Sequence, residues 1–536
     1  QPLEPLFALF IERAHAELET ITISGEHCHF DRHRIVSTLA AQLRALILPK
    51  IIRTWVLELN VARIAGQLDG DSAQARFRHF LLQLSEPGKM ATVLHEYPVL
   101  ARVLVETLEH WLANSVELIR HLAHDWTALT SAFPALSDAG PLVRIEPGLG
   151  DLHRGGKSVT MFAWSSGFRL VYKPRSLAVD QHFQHLLRWA NARGFSLQFR
   201  TLGIVDRGDH GWSESVEHES TCSRESVEAF YRRLGGQLAL LYALEGADFH
   251  AENIIAAGSH PLLIDLEGLF HPRFESSAPA DDTGAHRFTM HSVLRVGLLP
   301  RRMWSRPDAA GLDLSGLGAK SAQRSPVALP AWTDQGTDFM RLAPKRGQIQ
   351  LSLAHLPQVD NEAVDPTEFR NDVGAGFDEM YRLMLAHQPA FLEFVERTFG
   401  NDPVRCIFRS THRYSKILFD SYHPDALRDA IERERVLDML WVDVERSPRL
   451  EKVLQAERAD LSVGDIPLFV TTPSSRDAST SRGHTIPDVF ESCALQHVRE
   501  RIARLDEDDL HRQRWMIDAS FASMVLSDAG ESRSRL

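Results

Sequence analysis

The stretch D-F-H-A-E-N-I-I-A-A-G-S-H-P-L-L-I-D-L-E, running from Asp248 to Glu267, decides the fold. An Asp is followed five residues later by Asn253, and an apolar run then ends in Asp265. Phosphotransferase sites use this order. The first Asp positions the attacking hydroxyl and takes its proton, the Asn holds a metal ion, and an Asp closing the next strand holds Mg²⁺ on the nucleotide phosphates. Such a pattern needs a lysine upstream to grip those phosphates.

F-R-L-V-Y-K, from Phe168 to Lys173, supplies one in an alternating run that places Val171 and Lys173 on one strand face. Ahead of it come the glycine-rich loop G-L-G-D-L-H-R-G-G (Gly148 to Gly156), a β-type run S-V-T-M-F-A-W (Ser158 to Trp164) and a turn at Ser165-Ser166-Gly167. Glycines admit phosphate oxygens to backbone amides, so Gly155 and Gly156 are expected to contact the nucleotide. A glycine-rich loop alone is usually an ordinary turn; the order of loop, strand, turn and lysine-bearing strand gives it weight.

With 536 residues, 44% hydrophobic and 24% charged, the chain has room for more than one packed domain. No stretch approaches the ~20 uninterrupted apolar residues of a membrane span, and no amino-terminal signal peptide is visible, so cytoplasmic residence is expected. Cys28, Cys222, Cys406 and Cys493 are far apart and are expected as reduced thiols. A net charge of −12 argues against a general nucleic-acid binder. The first residue is Gln, consistent with a fragment or a processed product.

Helical periodicity over Pro5 to Thr20, Ile35 to Leu68 and Tyr97 to Leu129 predicts a helical cap or scaffold over residues 1–140. Residues 141–245 read as a β-rich lobe that holds the glycine-rich loop and Lys173, interrupted by a helix at Leu177 to Gly194 and closed by another at Ser226 to Leu244. Residues 246–330 read as the catalytic core and 331–536 as an insertion followed by helices. A polar, Gly/Pro/Ser-punctuated stretch covers Arg301 to Asp365, helices are expected at Glu368 to Val395, Asp425 to Arg446 and Val489 to Leu526, and Thr471 to Ser481 is a Thr/Ser-rich break.

Protein kinases carry H-R-D and D-F-G, whereas here Asp248 is followed by Phe-His and Asp265 by Leu-Glu. D-x-H-x-x-N with I-D-x-E is closer to small-molecule kinases, which leave the flanking segments unexplained. Those segments carry a resemblance. G-D-L-H-R-G-G-K-S-V, L-V-Y-K-P-R-S-L-A-V-D, A-D-F-H-A-E-N-I-I, L-I-D-L-E-G-L-F-H, S-V-L-R-V-G-L-L-P and F-R-S-T-H-R-Y-S-K-I-L, in this order, closely resemble the dehydratase domain of class II lanthipeptide synthetases, the LanM family. The resemblance runs from about Pro5 to the last helix.

It implies an α+β fold: a bilobal, kinase-like core related to lipid kinases, with large helical amino- and carboxy-terminal elaborations. It also implies an enzyme that phosphorylates Ser and Thr of a leader-bearing precursor peptide with ATP and Mg²⁺ and then eliminates phosphate. Lys173 is assigned to the ATP phosphates, Asp248 to the substrate hydroxyl, Asn253 and Asp265 to Mg²⁺, and Glu267 to a second metal or nucleotide contact, on the same strand face as Asp265 if the strand continues. His250 either holds Asp248 or a phosphate, or braces the loop. The resemblance carries Arg405 and Thr411 over as the elimination pair; six residues apart, they share a face if the segment is extended. A guanidinium fork suits a phosphate dianion, and Thr can donate to the same oxygens. Arg409 and Arg413 are neighbours able to substitute.

Arg144, Asp151, His153 and Arg175 are second-rank candidates beside the loop, and Ser292 to Arg295 serves either peptide binding or packing. Full-length LanM proteins continue into a zinc-dependent cyclase domain. Here the chain ends at Leu536, and its His27-Cys28-His29 cluster is a poor metal site because adjacent side chains diverge. Cyclisation is therefore not expected of this polypeptide, and a separate cyclase and export machinery are the expected partners unless a longer protein has been cut. Two alternatives remain: a kinase that leaves phosphate on a peptide or small molecule, and a non-catalytic peptide-binding scaffold.

Overall fold

Apolar residues at three- and four-residue spacing from Val99 to Leu129 wind the longest helix, which starts with a proline at its first position and stops before Phe133-Pro134. The structure is a computed structural model that describes residues 4–21, 32–221, 223–273, 291–303, 312–325, 327–360 and 362–533. His27, Cys28, His29 and Cys222 lie outside these residues; Cys406 and Cys493 lie within them as free thiols. The fold mixes helix and strand and is 53% helical, in agreement with an α+β class.

Six helices open the described chain: α1 (Glu4–Glu19), α2 (Arg32–Ala40), α3 (Leu43–Ile64), α4 (Ala73–Leu84), α5 (Pro87–Glu96) and α6 (Pro98–Ala132). The single helix expected over Ile35 to Leu68 is broken at Ala41 and Gln42, and α4 and α5 are additions; Ser72 caps α4 by accepting from the Ala75 amide at 3.1 Å. The segment His33–Ile64 is long and apolar enough to cross a membrane by length and composition alone, which the uninterrupted-run criterion missed. Part of that apolar surface, including Leu43, Ile47, Ile51 and Leu59, lies in the core with α6, and Lys50 donates to Thr107 on α6 at 2.8 Å.

An antiparallel sheet follows, with β1 (Leu142–Glu146), β2 (Thr160–Trp164), β3 (Arg169–Lys173), β4 (Ile204–Asp206) and β5 (Gly211–Glu214) in the order β1-β2-β3-β5-β4. Phe162, Trp164, Leu170, Tyr172 and Trp212 join the apolar core of α1–α6, so one core serves the helices and one sheet face. Strand alternation then turns Lys173 to the other face.

A second core joins α7 (Ala178–Ala192), α8 (Arg224–Ala243), the hairpin of β6 (Ile254–Ala257) and β7 (His260–Leu263), and helices Arg370–Ala386, Gln388–Phe399, Ala494–Ala503 and Glu507–Arg533. The expected helix over Asp425 to Arg446 is three shorter pieces. Thr471 to Ser481 is no break: Phe469–Thr471 and Ala478–Thr480 belong to a four-stranded sheet with Val404–Cys406 and Thr485–Ile486. The described parts of Arg301 to Asp365 include short two-stranded antiparallel sheets.

The helix α8 crosses Arg370–Ala386 with backbones nearly touching. A Cβ on Gly235 would lie 1.9 Å from the Val373 carbonyl oxygen, and one on Gly376 would lie 1.8 Å from that of Arg232. Gly235→Ala or Gly376→Ala must push these helices apart and is expected to cost about 1–3 kcal/mol, the usual scale of overpacking. Urea unfolding monitored by circular dichroism would read this as a lower midpoint with the slope preserved.

Candidate active site

The amphipathic helix α8 ends in the turn that delivers Asp248. The Asp248 backbone sits at φ +67°, a left-handed conformation that a non-glycine residue holds only when its surroundings impose it. Those surroundings are hydrogen bonds: Ala247 N to Gly268 O at 3.0 Å, Phe249 N to Val296 O at 2.9 Å, and Ala251 N to Leu314 O at 3.1 Å. Asn253 Nδ2 donates to the Asp248 carbonyl at 2.8 Å, which leaves its amide oxygen for other partners. His250 accepts the Glu252 amide at 3.2 Å and so braces the turn Ala251–Asn253.

This turn forms one wall of a cleft of about 360 Å³, lined among others by Lys173, Arg175, Asp248, His250, Asn253, Asp265, Glu267, Arg405 and Thr411. The size suits a nucleotide-sized ligand. Asp151 and His153 also line it, whereas Gly155 and Gly156 do not. The Gly155 and Gly156 amides instead donate to the two carboxylate oxygens of Asp465, at 2.5 and 2.9 Å.

The floor is an ionic relay. Arg175 donates to Asp180 on α7 at 2.7 Å and to Asp265 at 2.8 Å, and its Nε lies 3.2 Å from Glu267. Glu267 reaches Arg405 at 2.7 Å, and Lys173 lies 3.8 Å from Asp180 while donating to the Ile264 carbonyl. The strand β7 ends at Leu263, so Asp265 and Glu267 share no strand face; they meet because one guanidinium holds both.

Electrostatics follow from this packing. Withdrawal from water opposes ionisation of Asp265, but Lys173 and Arg175 overcome it and hold the carboxyl at about 2. Asp248 reaches solvent at the cleft mouth, yet desolvation by the cleft walls pushes its carboxyl above the usual value. Burial, and then the nearby Arg405 charge, lower His153. The hydrogen bonds from Arg175 and from the Glu267 amide both fall on Asp265 Oδ1, which leaves Oδ2 for a cation. Asn253 and Asp265 therefore fit Mg²⁺. Glu267, with one oxygen on Arg175 and the other on Arg405, is an anchor for guanidinium groups.

Arg405 and Thr411 line the same cleft, but not through a shared strand face. The strand stops at Cys406, and Thr411 opens the helix Thr411–Ser421, which Ser410 caps. Arg409 and Arg413 turn away from the cleft. Arg409 is buried on Glu457 and Asp443, and Arg413 holds Asp443 and the Met439 carbonyl. Arg144 pairs with Glu146. Arg295 is buried on Glu245 together with Arg273 and Arg501, so Ser292 to Arg295 packs the core.

Sequence reasoning missed Asp180 and Asp465. Asp180 closes the L-V-Y-K-P-R-S-L-A-V-D motif in the first turn of a helix, a legible signal; Asp465 follows a loop glycine and carries none. Elsewhere, His121, Asp209 and His210 cluster as a metal site would, but the two imidazoles stack 3.7 Å apart at 4°, and parallel ring planes cannot share one in-plane metal.

The family model described as "Domain of unknown function (DUF4135)" matches residues 97–472, which span the glycine-rich loop, the turn at Asp248 and the Arg405 strand. The chain belongs to the DUF4135 family. This domain is found in LanM-type lanthipeptide synthetases, which bears out the resemblance carried by the six motifs. The chain is also 24% identical over 493 residues to the lacticin 481/lactococcin biosynthesis protein LcnDR2 of Lactococcus lactis subsp. lactis. The match covers 88% of this chain and 51% of that protein, so the DUF4135 chain spans about half the length of its relative.

Removing the guanidinium at the centre of the relay tests its weight. Arg175→Met leaves Asp180, Asp265 and Glu267 short of a counter-ion and is expected to lower stability at pH 7 by about 3–5 kcal/mol, the scale for orphaning a buried charge. The pH dependence has a definite sign. In the native chain Asp265 titrates near 2, below the unfolded value of about 3.9, so its contribution is complete above that unfolded value and is lost as pH falls through 2. In the variant its folded pKa rises, so the deficit should be largest at neutral pH and shrink toward pH about 4. Denaturant titrations across this pH range measure it.

Proposed function

We propose that this chain acts in lanthipeptide biosynthesis by dehydrating Ser and Thr residues of a ribosomally made precursor peptide, with ATP as phosphoryl donor and Mg²⁺ as cofactor. The observation that carries this is the meeting of Lys173, Asp248, Asn253, Asp265, Arg405 and Thr411, drawn from distant parts of the chain, on one cleft. The similarity to a lacticin 481/lactococcin biosynthesis protein supports the pathway. A kinase-like, lipid-kinase-like bilobal arrangement is supported by the lysine-bearing sheet, the Lys173–Asp180 pair, which parallels the lysine–acid pair of protein kinases, and the turn and hairpin that follow α8.

In the first half-reaction the Ser or Thr oxygen attacks the γ-phosphorus, its proton passes to Asp248, and the bond to ADP breaks. Phosphoryl transfer asks chiefly for positioning and charge neutralisation. Asp248, whose carboxyl desolvation raises above its usual value, lines the cleft where it can accept the hydroxyl proton. Lys173 binds the phosphates. Asn253 and Asp265 would hold Mg²⁺, which when bound would neutralise the developing charge.

In the second half-reaction the α-proton of the phosphoresidue leaves to a base, the Cα–Cβ double bond forms, and the Cβ–O bond breaks with release of phosphate. Arg405 and Thr411 receive that anion, helped by the partial positive charge at the start of the helix Thr411–Ser421. Glu267 keeps the Arg405 guanidinium aimed at the cleft. The proposed partners are a leader-bearing precursor in the cytoplasm, a cyclase, whether separate or part of a longer protein, and export machinery.

Incubation with Mg-ATP and a cognate precursor should give a mass loss of one water per modified residue; neither that loss nor a phosphate gain would refute the assignment. Asp248→Asn should slow phosphorylation by about 10²–10⁴-fold, as expected for loss of a positioned base. Arg405→Ala should let phosphopeptide accumulate. A wild-type chain that yields stable phosphopeptide and no dehydration would leave a kinase alone.

A further inference from the structure

The glycine-rich loop already holds an anion of the protein's own. Gly155 and Gly156 both adopt left-handed backbone, φ +79° and +80°, and their successive amides converge as a nest on the Asp465 carboxylate, at 2.5 and 2.9 Å. Asp465 is buried at 2% exposure. Its neighbour repeats the attachment: Ile466 N donates to Leu152 O at 2.9 Å, and the Ile466 carbonyl lies 2.6 Å from His153 Nδ1. On its other side the loop is fixed to α6, with Asn114 donating to Gly155 O at 2.6 Å and Lys157 to Glu117 at 2.7 Å.

The segment that grips the loop continues directly into the strand Phe469–Thr471. That strand pairs with Val404–Cys406 and sets Val470 opposite Arg405. The glycine-rich loop and the strand that carries Arg405 are thus joined through three intervening residues, Ile466 to Leu468, between Asp465 and Phe469.

We propose that Asp465 is a positioning residue that fills the amide nest of the glycine-rich loop and locks the loop to the Arg405 strand, so that the groups for phosphorylation and elimination keep one mutual geometry. This rests on the dehydratase function proposed above. It assigns the Gly155 and Gly156 amides to Asp465 and not to nucleotide phosphates, and it leaves contact with the nucleotide to Lys173 and the cleft-lining turn Leu149, Gly150 and Asp151. A carboxylate is needed because only two acceptor oxygens match two adjacent donors; an amide offers one acceptor and sets an N–H against the second donor.

Amide hydrogen exchange on the wild-type chain, with and without Mg²⁺ and a non-hydrolysable ATP analogue, tests the first part. Gly155 and Gly156 should be protected to the same extent in both states. Fast exchange without nucleotide and protection only after its addition would overturn the assignment. For the second part, Asp465→Asn and Asp465→Ala are compared with wild type by the ratio of phosphorylated to dehydrated peptide, using chains shown to be folded by circular dichroism. The ratio should rise several-fold, more for Ala than for Asn. An unchanged ratio in both folded variants would sink the coupling, while the exchange experiment on wild type stands whether or not they fold. If wild type neither phosphorylates nor dehydrates, the proposed function fails, and the exchange result still decides who owns the nest.

Discussion

The cleft depends on one guanidinium. Arg175 distributes its donors over Asp180 from the helix after the lysine strand and over Asp265 and Glu267 from the segment after the hairpin of β6 and β7. A planar, permanently charged fork can serve three carboxylates at once; an ammonium on a flexible stem could not fix their directions. Three acids brought this close would otherwise repel and take up protons. With Arg175 among them, and Lys173 and Arg405 at the flanks, Asp265 stays ionised despite its loss of solvent. The sheet, the segment of Asp265 and Glu267 and the strand of Arg405 are therefore tied by charge.

Backbone constraint complements this relay. Asp248 is held left-handed between close approaches of main chain: a Cβ on Gly268 would lie 2.3 Å from the Ala247 carbonyl oxygen, and one on Gly297 would lie 3.1 Å from the Phe249 nitrogen. Just upstream, Glu245 gathers Arg273, Arg295 and Arg501 and is held at about 2 despite its burial. One carboxylate with three guanidinium partners pins the end of α8, the segment Ser292 to Arg295 and the helix Ala494–Ala503 to one another. Asp248 thus projects from a support that is fixed on several sides, as positioning chemistry requires.

The arginines of residues 405–413 divide by burial partner. Arg405 faces the cleft on Glu267, while Arg409 and Arg413 are consumed by Glu457 and Asp443 inside the subdomain that carries them. Residue type alone made all three candidates for a phosphate. What separates them is which already has an internal carboxylate close enough to claim it.

Much of this was legible in the amino-acid order. The motif from Asp248 to Asp265, the alternating strand that ends in Lys173 and the helices α1, α6, α7 and α8 are local patterns, and local steric and apolar periodicity is enough to read them. Arg405 and Thr411 came from the resemblance, and they share no strand face, because the strand stops at Cys406 and Ser410 caps a helix that Thr411 opens. Three matters were settled only by tertiary structure: the convergence of distant residues on one cleft, the relay centred on Arg175, and the capture of the Gly155 and Gly156 amides by Asp465. Each rests on contacts between residues far apart in sequence. A carboxylate's partner, and hence its charge state and role, is set by what folding packs against it, and no periodicity in the chain encodes that.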